Sequence, residues 1–382
     1  MWLNGFYILL CTLFLLYAIL ILVYRKWFLQ LRPFLMPEKF QPQIKFSVVI
    51  PARNEEENIG LCLQAIFQQT YPSSLFEVIV VDDHSTDNTG SIVRQLQQKH
   101  SNLQLISLSN ELDGIILNAY KKKAIETAIG HAKGDWIMTT DADCFMGDEW
   151  MALYAGYIEK YDPVFIAAPV GLIDDGSVLS VFQTLDFMAL QGITAASVSA
   201  GFHSMCNGAN LAYRKDVFYE VNGFKGIDNI ASGDDMLLMN KIRLQYPQRV
   251  MALFAQGAIV STYPMPGWKS FFNQRIRWAS KADQYADKTI FWVLLLVYLL
   301  NAMLFVMPFL SFFDCSVLWS WLLLLTAKTI VEASFALPIA AFFGIKLYWW
   351  SPVLQILHIS YTVIAGWLGK FGRYEWKGRQ VK

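Results

Sequence analysis

The chain has 382 residues, of which 55% are hydrophobic, 15% aromatic and only 16% charged, against roughly a quarter charged in an average soluble domain. With a mean hydropathy of +0.34, that composition excludes a disordered chain and argues against an all-soluble protein. Lys+Arg 31 balances Asp+Glu 31, so no general attraction to nucleic acid follows, and five scattered cysteines with no CxxC spacing argue against a disulfide framework or structural zinc.

Gly5 to Tyr24 carries no charge and is long enough to span a bilayer. Nothing basic precedes it, whereas Arg25, Lys26, Arg32 and Lys39 follow. The positive-inside rule puts the N-terminus outside and the next segment in the cytoplasm. A cleaved signal peptide would want basic residues before the run and a small-residue site after it; neither is present, so residues 1–28 are expected to be a membrane anchor.

From Lys45 the period changes. Lys45–Ala52 is a β-branched run of strand length, and Glu55–Gln69 follows with Ile59, Leu63, Ile66 and Phe67 at helical spacing and three glutamates in its first turn. Strands are expected again at Phe76–Asp83, Leu103–Leu108 and Asp135–Asp143, with helices over the DNTGSIVRQLQQKH stretch and Lys121–Ala132 between them. This alternation predicts a mostly parallel sheet covered on both faces, and ligands of such sheets bind beyond the carboxyl ends of the strands. Polar clusters stand there: Arg53-Asn54-Glu55, Asp82-Asp83, and Asp141 with Asp143. No GxGxxG follows the first strand and no GxxxxGK[ST] occurs, so a dinucleotide redox enzyme or P-loop ATPase is unsupported.

Strand alternation would point Asp141 and Asp143 to one side and Ala142 to the other. Two hard oxygen ligands with open positions suit Mg²⁺ or Mn²⁺ shared with a substrate phosphate; an ordinary acidic turn reads the same way. Asp82-Asp83 can accept from a base N–H or ribose hydroxyl, while Ser85, Thr86 and Asp87 beside them are also cap formers. Lys121, Lys122 and Lys123 open a helix, either to meet a diphosphate or as a solvated basic face. Asp234-Asp235 of the Ser232–Asp235 stretch begin another helix, as general base or as cap. Gln274, Arg277 and Trp278 fall at i, i+3 and i+4 on one helical face, offering an amide, a guanidinium and an indole. The same stretch reads as an amphipathic interfacial helix with tryptophan anchors.

Three apolar runs close the chain, near 290–313, 317–343 and 348–368. Lys328 and Glu332 lie four apart in the second, as an intramembrane path or a clamp between helices, and His358 in the last reads as a packing or interfacial residue. Three crossings would leave the basic tail outside, against the positive-inside rule, unless one run is interfacial.

Taken together, strand-end DD, lysine cluster, DxD, DD and QxxRW followed by membrane runs resemble the family 2 inverting glycosyltransferases. These are GT-A enzymes that include cellulose, chitin and hyaluronan synthases. The resemblance covers about Lys45 to Asp287 and rests on VVIPARNEEENI, VVDDHSTDNT, KKKAIETAI, TTDADC, CNGANLAYRKDVFYEVNGF, SGDD and QRIRW. It implies an α/β GT-A domain with a Rossmann-like, mostly parallel sheet, flanked by transmembrane helices. The expected layout is an anchor over 1–28, a cytoplasmic domain over 45–287 with an interfacial helix near its end, two or three membrane helices over 288–369, and a basic tail over 370–382.

The resemblance also implies roles. Pro51, Ala52, Arg53 and Glu55 would line the nucleotide pocket, Asp82 or Asp83 would hold the base, and Lys121 the diphosphate. Asp141 and Asp143 would ligate Mg²⁺ or Mn²⁺. Asp235 would be the catalytic base, supported by Asp234. Asn207, Gly208 and Asn210 would border the acceptor, with Trp278, while Gln274 and Arg277 would bind the donor's diphosphate end. The partners implied are a nucleotide-sugar donor, a glycan or lipid-linked acceptor, membrane lipids, and a polysaccharide export apparatus; no nucleic acid is called for. Single addition to a polyprenyl phosphate or glycolipid is the alternative, and a silent subunit of an export complex a third. In polymer synthases a small residue often stands a few positions after the QxxRW tryptophan. Ala279-Ser280-Lys281 places a lysine there instead, and with a single N-terminal span this points away from a processive synthase with its own channel.

Overall fold

Short β-branched runs and helical periods beginning near Lys45 build one sheet. Its strands, in chain order, are β1 (Phe46–Ala52), β2 (Phe76–Asp82), β3 (Leu103–Ser107), β4 (Trp136–Thr139), β6 (Phe165–Ala167), β8 (Leu211–Arg214) and β9 (Val250–Ala252), while β5 (Cys144–Met146), β7 (Val170–Leu172) and β10 (Val260–Thr262) form a second, smaller sheet. The computed structural model describes the chain except residues 1, 113–116, 204, 231–232, 281–286, 372–373, 377–378 and 382, and gives the backbone alone for 2–3, 374–376 and 379–381. Ser232, Lys281, Arg373, Lys377 and Lys382 therefore lie outside the described residues. By internal contact the chain forms two units: 32–173 with 204–263, and 1–31 with 174–203 and 264–382.

In the α/β unit the large sheet runs β3-β2-β1-β4-β8-β6-β9. The first four strands are parallel, β8 is antiparallel to both β4 and β6, and β9 is parallel to β6. Val48, Val49 and Ile50 of β1 and Val78 to Val81 of β2 are wholly buried, as strands covered on both faces must be. The mostly parallel GT-A-type sheet expected from the sequence is the one observed.

Two local expectations are corrected. Strand β4 stops at Thr139, so Asp141 and Asp143 sit in the turn leading to β5, and strand alternation does not orient them. Ala142 is nonetheless buried between them. The helix after β1 begins only at Ile59, leaving the glutamates ahead of its first turn. The amides of Glu55 and Glu56 are taken by Thr89 Oγ1 (2.8 Å) and Asp87 Oδ2 (3.0 Å) of the neighbouring loop.

The second unit is helical: α1 (Trp2–Gln30), α2 (Val178–Ser199), α3 (Trp268–Ala279), α4 (Lys288–Leu310), α5 (Ser316–Phe343) and α6 (Leu354–Phe371). Five segments are long and apolar enough to cross a membrane: Asn4–Gln30, Val178–Ser199, Lys288–Leu310, Ser316–Phe343 and Ser351–Phe371. The domain expected over 45–287 includes α2. The contacts place it in the helical unit instead.

Helix α2 differs from the other four: 61% of its most apolar window is buried by protein, against 17–28% for them. Connectivity forbids it a single crossing. Strand β6 precedes it and β8 follows it, and the two are hydrogen-bonded neighbours in one sheet, so both flanks of α2 lie on the same side of any bilayer.

Buried ionic groups tie these helices together. Lys328, wholly buried, stands 2.5 Å from Glu332 Oε1, and Glu332 also accepts from Tyr17 of α1 and Gln355 of α6. The clamp reading of the Lys328–Glu332 pair matches this arrangement. Asp186 of α2 joins Arg275 of α3 (2.7 Å) with Tyr361 (2.5 Å) and His358 (3.3 Å) of α6.

Candidate active site

The loops after β1 and β2 are built as a pair. Ala52 and Asp82 are register partners, and two residues beyond each the backbone turns left-handed, at Asn54 (φ 52°) and His84 (φ 56°). Asn54 N donates to Ser85 Oγ (3.0 Å), and Thr86 N donates back to Asn54 Oδ1 (2.8 Å). Arg53 Nη1 donates to the Asp83 carbonyl at 2.9 Å. Asp83 is buried, with His84 Nδ1 2.9 Å and Arg53 Nη1 4.0 Å from its carboxylate. Asp82 accepts from Ser85 N through Oδ1 (2.9 Å), and a β-carbon at Gly90 would come within 3.2 Å of its Oδ2. Both carboxylates thus stand at the carboxyl end of β2 beside Pro51, Ala52, Arg53 and Glu55.

A second cluster gathers at the end of β4. Lys121, near the start of the helix Tyr120–His131, lies 2.8 Å from Asp141 Oδ1 and 3.4 Å from Asp234 Oδ2. Asp235 caps the helix Met236–Gln245 through Oδ1 to its own Met236 N (2.7 Å) and accepts from Gly208 N through Oδ2 (3.1 Å). Thr139 Oγ1 holds the Gly208 carbonyl at 2.7 Å. A β-carbon at Gly208 would lie 3.2 Å from Asp234 Oδ2 and 3.4 Å from Lys121 Nζ. A larger residue there would have to displace those side-chain ends by a few tenths of an ångström.

The electrostatics follow from the count of charges. Burial pulls the Lys121 ammonium down, but Asp141 and Asp234 outweigh it and hold its pKa above the ordinary lysine value. Burial, then the charge of Asp143 and Asp141, pushes the Cys62 thiol up, and burial, Asp141 and Asp143 do the same to Cys144. Both remain neutral thiols beside a surplus of negative charge.

With this geometry in place, comparison with known proteins decides the family. The family model "Glycosyl transferase family 2" matches residues 47–221, and "Glycosyl transferase family group 2" matches 136–363, more than half of the chain. The chain belongs to glycosyltransferase family 2. A probable glycosyltransferase of Bacillus subtilis, YdaM, is 28% identical over 246 residues, covering 63% of this chain and 56% of that one. Glycosyltransferase AglE of Haloferax volcanii is 30% identical over 201 residues, covering 50% and 58%. The chain thus spans little more than half the length of these relatives. The mannosyltransferase PcManGT of Pyrobaculum calidifontis, solved with GDP-Man and Mn²⁺, matches with a TM-score of 0.62 at 20% identity, covering 96% of this chain and 98% of that one; it shares the GT-A fold.

The donor chemistry at β4 fits the divalent cation of such folds. Among the described residues no three His, Cys, Asp or Glu side chains form a ready-made metal cage. A Mg²⁺ or Mn²⁺ that takes substrate phosphates needs only one or two carboxylates. Asp141 and Asp143 would be the two carboxylates here, beside the Lys121 Nζ that pairs with Asp141 and Asp234.

Several residues take places the sequence did not foresee. Asn210, expected at the acceptor, is completely buried. Its Oδ1 accepts from Trp150 Nε1 and Tyr154 OH (both 2.9 Å), and its Nδ2 donates to the carbonyls of Pro169 and Ala258 (both 2.7 Å). Every hydrogen-bonding position of that amide is used internally, so it braces the loop instead of meeting a ligand. Asn207 Oδ1 accepts from Ala209 N at 3.0 Å, and Gly208 is the member of the segment that reaches the acids.

In the helical unit, Gln274, Arg277 and Trp278 lie partly exposed on α3, whereas the buried residues of QRIRW are Ile276 and Arg275, a charged residue given no role in the sequence analysis. Arg275 pairs with Asp186, and its guanidinium lies 4.2 Å from the centre of the Trp278 ring and 4.9 Å from that of Phe271. The signal for it was present: Phe271 and Arg275 share the i, i+4 stripe that faces inward.

Asn210→Ala leaves two buried donors and two buried carbonyls without their partner. It is expected to cost on the order of 3 kcal/mol of stability, read as a fall in Tm of the detergent-solubilised protein, with the acceptor KM of the folded fraction unchanged.

Proposed function

We propose that the protein transfers a sugar from a nucleotide-diphosphate donor, a UDP-sugar in the first instance, to a growing glycan or lipid-linked saccharide at the cytoplasmic face of the inner membrane. The observation that carries this reading is the meeting of Lys121, Asp141, Asp234, Asp235 and Gly208 at the end of β4. Beside it stand the paired loops after β1 and β2 that a nucleotide needs.

Asp82 or Asp83 accepts from the base, and Pro51, Ala52, Arg53 and Glu55 line its pocket. Lys121 turns from Asp141 toward the diphosphate and stabilises the charge that grows there as the bond to the anomeric carbon breaks. Asp141 and Asp143 would hold Mg²⁺ or Mn²⁺, which would supply positive charge against the same diphosphate. The acceptor hydroxyl attacks the anomeric carbon from the opposite face, and Asp235 takes its proton. Two backbone amides, Gly208 and Met236, fix the Asp235 carboxylate for this. Nucleoside diphosphate leaves, the anomeric centre inverts in one displacement, and no covalent intermediate is required. Gln274 and Arg277 are assigned to the donor's diphosphate end. Trp278 is assigned to the acceptor sugar, with the part of its ring not taken by Arg275 and Phe187.

The helical unit supports a membrane-bound enzyme with α1, α4 and α5 as crossings. Helix α2 returns to its own side, and the binding of α6 to α2 and α3 through Asp186, Arg275, His358 and Tyr361 supports reading α6 as an interfacial helix. Three crossings starting outside bring the basic tail into the cytoplasm, as the positive-inside rule asks. A cysteine introduced at Lys370 is expected to react with a membrane-impermeant maleimide only after the cells are opened; labelling in intact cells would return α6 to the crossings.

Membranes from expressing cells, given labelled UDP- and GDP-sugars with Mg²⁺ or Mn²⁺, test the chemistry. Asp235→Asn is expected to keep nucleotide binding and lose transfer by about 10²–10⁴-fold; a fully active variant removes Asp235 as base. Asp143→Ala is expected to lose stimulation by Mn²⁺ together with activity, and unchanged stimulation takes it out of the metal site. Label in polymer marks a synthase. Label confined to lipid extract marks single addition to a polyprenyl phosphate or glycolipid, and label in neither, with donor still bound, marks a missing partner or acceptor, or a silent export subunit.

A further inference from the structure

The three consecutive lysines that open the helix Tyr120–His131 do three different things. Successive residues of a helix point about 100° apart, so they cannot share a face. Lys121 reaches Asp141 and Asp234. Lys123 is exposed and pairs with Glu126 at 2.9 Å. Lys122 is 2% exposed, and its ammonium donates to the main-chain carbonyls of Ile227 (2.7 Å) and Ile230 (2.6 Å). A buried ammonium is costly unless its donors are satisfied, so this position is not a solvated basic face.

The segment it holds has little structure of its own. Residues 222–230 form a run of turns with left-handed backbone at Asn222 (φ 56°), Gly223 (φ 47°) and Gly226 (φ 87°). Its carbonyls are gathered by lysines of two helices. Lys241, from the helix Met236–Gln245, donates to Gly223 O (2.6 Å) and Lys225 O (3.0 Å) at one end, and Lys122 takes the other. Only a few residues separate Ile230 from Asp234 and Asp235. One helical turn therefore grips both the acid, through Lys121, and the chain that delivers it, through Lys122.

We propose that Lys122 is a positioning residue for transfer: by anchoring the 227–230 carbonyls to the helix that carries Lys121, it sets where Asp234 and Asp235 stand. The inference rests on the assignment of Asp235 as base. Displacements of about 1 Å at a reacting group can cost about 10²-fold in rate, so a loosened anchor is felt in kcat before it is felt in binding.

The test compares full-length Lys122→Met and Lys241→Met with wild type in detergent. It measures hydrogen exchange over 223–240, UDP affinity, and kcat and KM with whichever labelled donor gives product. For Lys122→Met the expected result is faster exchange at 227–236, kcat lower by about 10–100-fold, an altered pH profile of kcat, and UDP affinity within about threefold of wild type. Lys241→Met is expected to speed exchange at 223–226 with kcat within about twofold. Unchanged exchange at 227–236 in Lys122→Met overturns the proposal. So does an equal fall of kcat in both variants, which would mean general loosening. If Lys122→Met does not fold, Lys122→Gln, which keeps a neutral amide donor, carries the same comparison. Faster exchange together with an active Asp235→Asn would leave Lys122 as an anchor of this loop and remove the base assignment instead, so the two failures separate.

Discussion

Carboxylates crowded at the end of a sheet repel one another, and the candidate site depends on how that repulsion is contained. Asp141, Asp143, Asp234 and Asp235 come from two stretches of chain far apart in sequence. Lys121 stands between two of them, 2.8 Å from Asp141 and 3.4 Å from Asp234. Gly208 is held beside them by Thr139 through its carbonyl and by Asp235 through its amide. The arrangement keeps negative charge in surplus, which favours the binding of a cation.

What the sequence disclosed and what it hid divide along a physical line. Strands β1, β2, β3 and β4 and the helices between them are local and periodic, so their order could be read from residue spacing. Strands β6, β8 and β9 are short, and their place is fixed by pairing with distant segments, which no local pattern reports. The same holds within the site. Asp235 was legible as an acid at a helix start, but its capping of Met236 and its bond to Gly208 are one geometry serving both readings. Asn210 looked like a ligand-facing amide because it sits in a family motif. Its four internal hydrogen bonds show that a motif residue can be retained for the shape of a loop.

The domain expected over 45–287 includes α2, whereas the contacts group it with the helical unit. Its polar residues leave it less apolar than α1, α4 and α5. In the structure those residues face protein: Gln183, Thr184, Asp186, Gln191, Thr194 and Ser197 are all buried. A helix with its polar stripe inward and a sheet strand at each flank is a poor candidate for a lipid-exposed crossing, whatever its length. Asp186 then explains Arg275, since a guanidinium buried among aromatic rings needs a carboxylate, and the pair holds α2, α3 and α6 as one assembly.

The lysine triplet carries the argument furthest. Counted by composition it is a basic patch, and by motif it is a diphosphate contact. Placed on a helix it becomes three side chains in three surroundings, of which only Lys121 meets the acids. The other buried one binds carbonyls, where its charge matters as a donor of short hydrogen bonds and not as an attraction to phosphate. An arginine at 121 would carry the same charge on a planar fork in place of the compact ammonium that stands 2.8 Å from Asp141 and 3.4 Å from Asp234, so the exchange is not a conservative one.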